Sequence, residues 1–429
     1  KSIMQGSGYA KNNVNAKINA NLNKWLSLDF NGRMAFTKLD GLNGGADTNE
    51  SSAANSVVAN TVRWNPVEPL SGTSDDDEEN STSTRRNPTE RITDTYKYQE
   101  RFQQNYNVGL NWKPFKNITF RSEFGYGWKY NNTEQVWGSN ATTNSKYGYN
   151  GQPQAQFVRL ENKNWRNANT LTYDNKKLFH GRDHINVLVG QEWSSSQDVT
   201  RTNTSVAFPT SFTLNEVLAN TAAGTALPNE GNIKAEENIL SYFGRINYTL
   251  NDKYLATITV RADGSSKFGK DNRWGIFPSA ALAWRMSDEK FMEPTRKWLD
   301  DFKLRAGYGT TGNSNIGSYN YAFQYGTGNY YMYPITGSDS ETSPGYVLSN
   351  LGDSDAKWET TKMFNIGFDL TALSNRLTAG FDFYVKNTSD LLVPANWSAL
   401  VGNASKPSIN IGDMKNRGVD LSIGWRDKV

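Results

Sequence analysis

The stretch "LSYFGRINYTLNDKYLATITVRADGSSKFGKDNRWGIFPSAALAWR", residues 240–285, contains the pattern that decides the fold. Within it, one set of alternate positions is Tyr254, Ala256, Ile258 and Val260. The other set is Leu255, Thr257, Thr259 and Arg261. A period of two places these sets on opposite faces of a β-strand. The stretch therefore predicts strands with one apolar and one polar face, separated by "NDK" and by a glycine-rich connection.

The same alternation recurs along the whole chain. It is clear in "VNAKINANL" (14–22) and "LSLDFNGRMAF" (26–36). It predicts about thirteen strands, at 14–22, 26–36, 106–112, 118–128, 165–173, 185–193, 240–250, 254–261, 276–286, 302–308, 364–370, 377–385 and 419–425. The sequence therefore predicts an all-β, antiparallel structure.

The connections between these strands are alternately short and long. The predicted long connections are about 38–96, 129–160, 194–238, 262–275, 310–357 and 388–414. Long loops at one end and short turns at the other are typical of outer-membrane barrels, in which polar side chains line the lumen. Compact soluble domains rarely contain such long loops. A soluble β-sandwich or a solenoid is the alternative, but a sandwich must fill a dry core between its sheets.

Composition narrows the function classes. The 429 residues carry a net charge of +3 and no cysteine. Nucleic acid is not an expected partner, because phosphate-binding faces normally show a clear cationic excess. A disulfide scaffold and thiolate metal sites are excluded for this chain. The sequence contains no run of 18 apolar residues, so it predicts no membrane-spanning helix.

The motif "RADGSSKFG" (261–269) could be read as a catalytic cluster or a phosphate cradle. Its position between two predicted strands favours a hairpin tip instead, because Asp263-Gly264 is a strong turn signal. We expect Arg261 to pair with Asp263 or Asp271 at the rim. Pro278 is expected at an edge or a bulge of its strand.

"RADGSSKFGKDNRWGIFPSAALAWRMSDEKFM" and "LDDFKLRAGYGTTGNSNIGSY" closely resemble the SusC/RagA family of TonB-dependent transporters. "KWETTKMFNIGFDL", "DFYVKNTSDLL" and "NIGDMKNRGVDL" follow in family order up to residue 422. The resemblance assigns a structural role to these motif residues: Arg261, Asp263, Gly264, Ser265, Ser266, Phe268, Gly269, Phe277, Pro278, Ser279, Gly312 and Asn313.

The resemblance implies a bacterial outer-membrane location and a partial transmembrane β-barrel, about 13 strands of a 22-stranded barrel. Residues 1–429 would form this barrel segment, while the plug domain, the TonB-contacting segment and the last strands lie outside the sequence.

The resemblance also implies import of a bulky nutrient, an oligosaccharide first and a peptide second, with no enzymatic step. Implied partners are a SusD-like surface lipoprotein lid, TonB–ExbB–ExbD through the missing N-terminal part, and membrane lipid. A dimer of transporter–lid pairs is left open. The rival hypotheses are an adhesin-like surface protein and a signalling receptor.

Aromatic residues of the long loops are candidate ligand contacts, because flat rings with a polar group suit sugars and other mixed ligands. They are Trp64, Trp137, Tyr147, Tyr149, Tyr319, Tyr321, Tyr330, Tyr331, Tyr333 and Trp397. The alternative is that individual rings only pack loop against loop.

An acidic run in the first long loop is a candidate calcium site. It contains Asp75, Asp76, Asp77, Glu78 and Glu79. Consecutive carboxylates can hold a hard cation when a loop folds around it, but the spacing is not that of an EF-hand. A solvated acidic loop is the simpler interpretation, so no cofactor is predicted beyond this candidate calcium ion.

Overall fold

The computed structural model of the chain describes residues 6–41, 92–139, 151–176, 182–234, 236–333, 343–396 and 404–427. The side chains of residues 327–333 and 343–344 lie outside this description. In chain order the strands are β1 (Gly8–Asn21), β2 (Leu26–Asp40), β3 (Thr95–Phe115), β4 (Ile118–Trp137), β5 (Gln154–Asn175), β6 (Asp183–Val206), β7 (Thr225–Ala226), β8 (Glu230–Ile233), β9 (Glu237–Leu250), β10 (Tyr254–Ser265), β11 (Trp274–Arg285), β12 (Leu299–Asn313), β13 (Gln324–Tyr333), β14 (Ser343–Asn350), β15 (Glu359–Ala372), β16 (Leu377–Ser389), β17 (Leu392–Pro394), β18 (Ser408–Asn410) and β19 (Met414–Trp425).

One antiparallel sheet dominates the molecule. Its order is β1-β2-β3-β4-β5-β6-β9-β10-β11-β12-β15-β16-β19, with β7 and β8 pairing beside β6. Each strand of this path pairs with the next main-sheet strand along the chain. The sheet is therefore an up-and-down meander. The path contains the thirteen strands that the alternation predicts. The predicted all-β, antiparallel fold is therefore confirmed, as the wall of an unclosed barrel.

The long connections contain small elements of their own. The helix α1 (Leu214–Ala219) begins at a capping box formed by Thr213 and Glu216. Two further hairpins, β13–β14 and β17–β18, stand apart from the main sheet. In the part of the chain described here, no helix combines the length and apolarity needed to cross a bilayer.

The outer face of the sheet is apolar and uncovered. Its exposed side chains include Val14, Ile18, Phe124, Leu171, Val189, Ile246, Ile258, Leu282, Ile366, Leu421 and Ile423. Each alternates along its strand with side chains of the opposite face, as period two requires. A soluble sheet would bury such a face, so this face is the one that meets lipid.

The short turns close the hairpins at one end. Asn251 and Asp252 have φ values of 54° and 59° between β9 and β10. Two consecutive residues with positive φ form the type I′ turn, whose twist matches that of the flanking strands. The connection between β11 and β12 is the longest at this end and contains a 3₁₀ helix, Lys290–Lys297.

The predicted bounds of the long connections need correction, because most of the strands continue beyond the apolar band. Between consecutive strands of the main sheet, the connections are 41–94, 138–153, 207–236, 266–273, 314–358 and 390–413. The motif loop is therefore shorter than 262–275, since β10 continues to Ser265. In the extensions the outer face carries polar residues such as Lys38, Glu100 and Arg159, so the alternation of an apolar outer face fades there.

Two small apolar cores lie among the long connections. One joins Val136, Ala155, Phe208 and Val217, which packs α1 against the ends of β4 and β5. The other joins Phe268, Ile316 and Ala356, with Trp358 against them. These cores hold the loops next to the end of the sheet.

Candidate functional site on the inner face of the sheet

A row of directly paired residues crosses the inner face. Along seven strands, from β2 to β10, the partners are Asp29, Gly109, Glu123, Ala168, Glu192, Ser241 and Asp263. Direct partners on neighbouring strands lie about 5 Å apart and share a face. The row therefore brings four carboxylates from distant parts of the sequence into one line.

Three arginines bridge these carboxylates. Arg121 lies 2.7 Å from both Asp29 and Glu123. Arg166 joins Glu123 at 3.1 Å to Glu192 at 2.6 Å. Arg261 contacts Asp263 at 2.7 Å and approaches Glu192 at 3.9 Å. The result is a continuous chain of alternating charge, which we call the luminal ladder: Asp29, Arg121, Glu123, Arg166, Glu192, Arg261 and Asp263.

Glycine makes room for the ladder. A Cβ placed on Gly109 would lie 2.4 Å from a carboxylate oxygen of Asp29 and 2.7 Å from a guanidinium nitrogen of Arg121. The ion pair therefore occupies the space that a side chain would fill, and a larger residue here would displace the Asp29 carboxylate and the Arg121 guanidinium. Gly109 lets these charged groups lie close to its backbone.

A second charged cluster lies further along the same face. Lys303 and Arg305 of β12 both contact Asp369 of β15 at 2.9 Å. Arg305 also reaches Asp382 of β16 at 3.0 Å. Together with the ladder, this cluster gives the inner face the paired charges expected of a water-filled lumen.

The loop that carries the rest of the 261–269 motif begins shortly after Asp263, the last residue of the luminal ladder. Arg261 donates a hydrogen bond to Ser241 at 2.8 Å as well as pairing with Asp263. The predicted Arg261–Asp263 pair is thus present. The backbone N–H of Ser266 donates to Asn238, and its hydroxyl accepts from the same residue, both at 2.9 Å. These contacts tie the loop to β9.

Further motif residues pack loop against strand. Phe268 is fully buried, and its ring centroid lies 5.3 Å from that of Trp358. Phe277 lies 5.4 Å from the same ring. A Cβ on Gly312 would meet the Phe277 ring at 2.1 Å, so only glycine fits beside that ring. The sequence predicts Pro278 at an edge or a bulge, but it lies within β11, a central strand, and is paired with Val260 of β10 in an unbroken register. Its missing N–H is tolerated because pairing with β12 begins only at the next residue, Ser279.

The remaining motif positions also have contacts within this region. A Cβ on Gly264 would lie 2.9 Å from the Trp274 ring, and one on Gly269 would lie 3.0 Å from the carbonyl of Ser354. Ser265 is almost fully buried. Asn313 donates to Glu359 at 3.4 Å.

A cavity of about 290 Å³ opens beside the motif loop. Its lining is mixed, with polar residues such as Asn164, Ser194, Glu237 and Lys267 and the apolar surfaces of Trp165 and Ile239. Lys267 and Glu237 form an ion pair of 3.2 Å within it. Hydroxyl, amide and charged groups together offer donors and acceptors to a ligand with many polar groups.

One lysine near the same rim is buried. Lys97 is 4% exposed and lies on the inner face of β3, beyond the apolar band. Burial, with a smaller effect of Arg101, lowers the pKa of the Lys97 amine to about 8. Nothing in the sequence singles out this residue, because polar residues surround it along the strand.

The chain matches the family described as "TonB dependent receptor-like, beta-barrel" over residues 15–428. The chain belongs to the TonB-dependent receptor β-barrel family. The TonB-dependent receptor SusC of Bacteroides thetaiotaomicron is 42% identical over 188 residues, which are 43% of this chain and 18% of SusC. TonB-dependent receptor P3 of Formosa agariphila is 34% identical over 275 residues, which are 64% of this chain and 26% of that receptor.

A solved structure shows the same fold. The RagAB peptide transporter superposes with a TM-score of 0.75 at 24% identity, covering 97% of this chain and 44% of that one. The predicted SusC/RagA resemblance and the outer-membrane location are confirmed. The chain spans less than half the length of these TonB-dependent receptors.

The aromatic residues predicted to contact ligand fall into three groups in this receptor barrel. Trp64, Tyr147, Tyr149, Trp397 and the acidic run Asp75, Asp76, Asp77, Glu78 and Glu79 lie outside the described residues. Tyr330, Tyr331 and Tyr333 belong to β13, but their side chains are outside the description. The described side chains are Trp137, Tyr319 and Tyr321.

The structure brings two of these rings together on the extracellular side of the receptor barrel. Tyr319 and Tyr321 have ring centroids 6.1 Å apart, and Tyr319 is exposed. Three more aromatic residues of this region are also exposed. They are Phe323 and Tyr325, which follow Tyr321 in the sequence, and Tyr346 on β14, the strand that pairs with β13. The prediction missed these three, although the spacing Tyr321, Phe323, Tyr325 is itself a period of two. Trp137 is only half-buried, at the end of β4.

Proposed function

We propose that the protein is the barrel part of a TonB-dependent importer that carries a bulky nutrient across the outer membrane. The observation that carries the proposal is the luminal ladder together with the second charged cluster. A wall lined with paired charges suits a hydrated passage, whereas a dry core would not retain so many ionic groups. The family supports energised import, because its members are receptors of that class.

We propose oligosaccharides as the first substrate class and peptides as the second. The rim cavity and the exposed rings of Tyr319, Tyr325 and Tyr346 support a ligand with both polar and flat apolar faces. The similarity to SusC favours this class, and the likeness to a peptide transporter keeps peptides as the second candidate.

We further propose that a SusD-like lipoprotein covers the extracellular loops and that TonB–ExbB–ExbD supplies energy through an N-terminal part outside this sequence. Ligand would be held between the lid and the rim, then pass along the inner wall once the plug moves. The protein's residues bind and guide the ligand and make no covalent bond to it. Calcium binding by residues 75–79 stays a prediction.

Growth of the source bacterium tests the proposal. A deletion strain and a complemented strain would be grown on panels of purified polysaccharides and of protein digests as sole nutrient. We expect the deletion to abolish growth on one substrate class, with the same loss in a strain lacking TonB. Uniform growth, combined with lost adherence to a surface or partner cell, would replace the import function by the adhesin-like one.

A further inference from the structure

An aromatic band marks the upper membrane boundary on the outer face of β2, β3 and β4. Phe36 and Phe102 have ring centroids 6.4 Å apart, and Phe102 and Trp128 are 5.9 Å apart. Tyr130 follows at 6.2 Å from Trp128. Aromatic rings of this kind lie at the level where the hydrocarbon region of a bilayer ends.

A charged row lies directly beyond this band. Its direct partners across five strands are Lys38, Glu100, Asn132, Arg159 and Arg201. Phe36, Phe102 and Tyr130 occupy the same outer face two residues closer to the membrane on their strands. Two residues of a strand span about 7 Å, so the charged row lies at the level of lipid headgroups.

This row carries three positive charges and only one negative charge. Lys38 pairs with Glu100 at 3.4 Å. Arg159 and Arg201 are instead direct partners of each other, and in the described part of the chain neither has a carboxylate within ion-pair distance. Glu161, two residues from Arg159, forms its ion pair with Lys163 at 3.1 Å and accepts from the Trp128 N–H at 2.8 Å, so it attracts Arg159 only at longer range. Like charges on directly opposed positions destabilise a sheet unless an anion joins them.

The surroundings keep both guanidinium groups available. The Arg159 guanidinium lies 4.8 Å from the centroid of the Tyr130 ring, which orients it from below. The other direct partner of Arg201 is Gly231 of β8, and a Cβ there would meet nothing within 4 Å. Both arginines are exposed. The pair thus forms an open cationic site that continues the lipid-facing surface.

We propose that Arg159 and Arg201 together bind the phosphate group of a lipid in the outer leaflet of the membrane. Two guanidinium groups from adjacent strands can each donate two hydrogen bonds to one phosphate, which matches the planar fork of arginine. The occupant is a phosphorylated lipid because the site lies outside the barrel, at headgroup height and next to the aromatic band. The inference depends on the membrane location of the barrel and is independent of what the protein imports.

Lipid retention by the full-length protein tests the site. The protein would be purified in a non-ionic detergent and examined by native mass spectrometry after addition of lipid A or of the same glycolipid with its phosphates removed. The test variant is Arg159→Gln with Arg201→Gln. The matched control is Arg33→Gln with Arg245→Gln, which removes two arginines from the inner face instead. Heat-modifiable migration on gels would verify that each variant is folded.

We expect the wild type and the control variant to retain lipid A, and the test variant to bind it at least about tenfold more weakly, since charge-assisted hydrogen bonds would be lost. The dephosphorylated lipid should bind all three weakly. Equal retention of both lipids, or equal retention by the test variant, would overturn the proposal. Complete displacement by millimolar inorganic phosphate would assign the site to a free anion and overturn the lipid assignment. Should the double variant fail to fold, Arg201→Gln alone decides the same comparison.

Discussion

Glycine has a specific task on the inner face of this barrel, where charged side chains lie across the neighbouring strand. A Cβ on Gly367 of β15 would lie 2.4 Å from an Asp382 carboxylate oxygen and 2.3 Å from the backbone carbonyl of Phe381. The carbonyl cannot move aside as a flexible side-chain end can. Gly244 of β9 has far more room, because its nearest atom, the Leu188 carbonyl oxygen, is 3.8 Å away.

Gly367→Ala should therefore destabilise the folded barrel by roughly 1–3 kcal/mol, the usual range for an overpacked site. Gly244→Ala, at an ordinary contact distance, should change the free energy of unfolding by much less. Urea unfolding of both variants in lipid vesicles would measure the difference. Similar midpoints for the two variants would mean that the Asp382 and Phe381 contacts do not restrict position 367.

Ile258 and Thr257 test which face of β10 meets lipid. Ile258 is 54% exposed on the outer face, whereas the Thr257 hydroxyl donates to Asn247 at 2.9 Å on the inner face. Ile258→Arg should cost roughly 2–4 kcal/mol near the bilayer midplane, because the charge would lie in hydrocarbon. Thr257→Arg should be far milder in the same unfolding assay. A larger effect at Thr257 would reverse the assigned faces.

At the scale of single elements, the turn between β11 and β12 is anchored by one carboxylate. Glu289 accepts hydrogen bonds from the Tyr254 hydroxyl at 2.6 Å and from the Trp284 N–H at 3.2 Å, and Lys253 lies 3.3 Å away. The Tyr254 hydrogen bond is the main cause of a lowered Glu289 pKa. The ionised carboxylate is therefore the form that holds the turn against two hairpins.

This anchor should weaken in acid. Because the folded-state pKa of Glu289 is lowered, its contribution is present above the ordinary value of 4.5 and is lost as pH falls through the lowered pKa. Hydrogen exchange of residues 286–298, corrected for the intrinsic rate, should accelerate between about pH 6 and about pH 3. Glu289→Gln should exchange rapidly at both values. Acid-induced acceleration of equal size in that variant would contradict this role of Glu289.

Elements and sites were predictable to different degrees. The strands in contact with lipid were predictable because period two is a local signal, as in Ile258 and Val260. The first part of β5 was not, since the outer face of "RLENKN" (159–164) carries Arg159, Glu161 and Lys163 beyond the membrane. The Arg261–Asp263 pair was predictable at a spacing of two residues. The Arg121–Asp29 pair was not, because its members are 92 residues apart and only the register of three strands brings them together.

At the scale of the whole molecule, the alternation of long and short connections gives the barrel its orientation. The chain contains no cysteine, so single cysteines can report that orientation. Ala222 is exposed in a long connection, and Lys297 is exposed in a short-end turn. Ala222→Cys should react with a membrane-impermeant maleimide on intact cells, because long loops face outward. Lys297→Cys should react only after the outer membrane is opened, and the parent protein is the control. The reverse pattern would invert the orientation.

The luminal ladder has a further consequence for the whole wall. Asp29 lies three residues after Leu26 at the start of β2, whereas Asp263 lies nine residues after Tyr254 at the start of β10. Glu192 also lies nine residues after Asp183 at the start of β6. Six residues of a strand correspond to about 20 Å, so the ladder rises by about that distance toward the extracellular rim between β2 and β6 and then keeps its height to β10. The ladder thus crosses this part of the wall obliquely and does not form a ring at one height. A rigid body that fills the lumen and contacts these charges along the rising part of the ladder would therefore separate from them strand by strand. Its release would be a series of small separations instead of one large one.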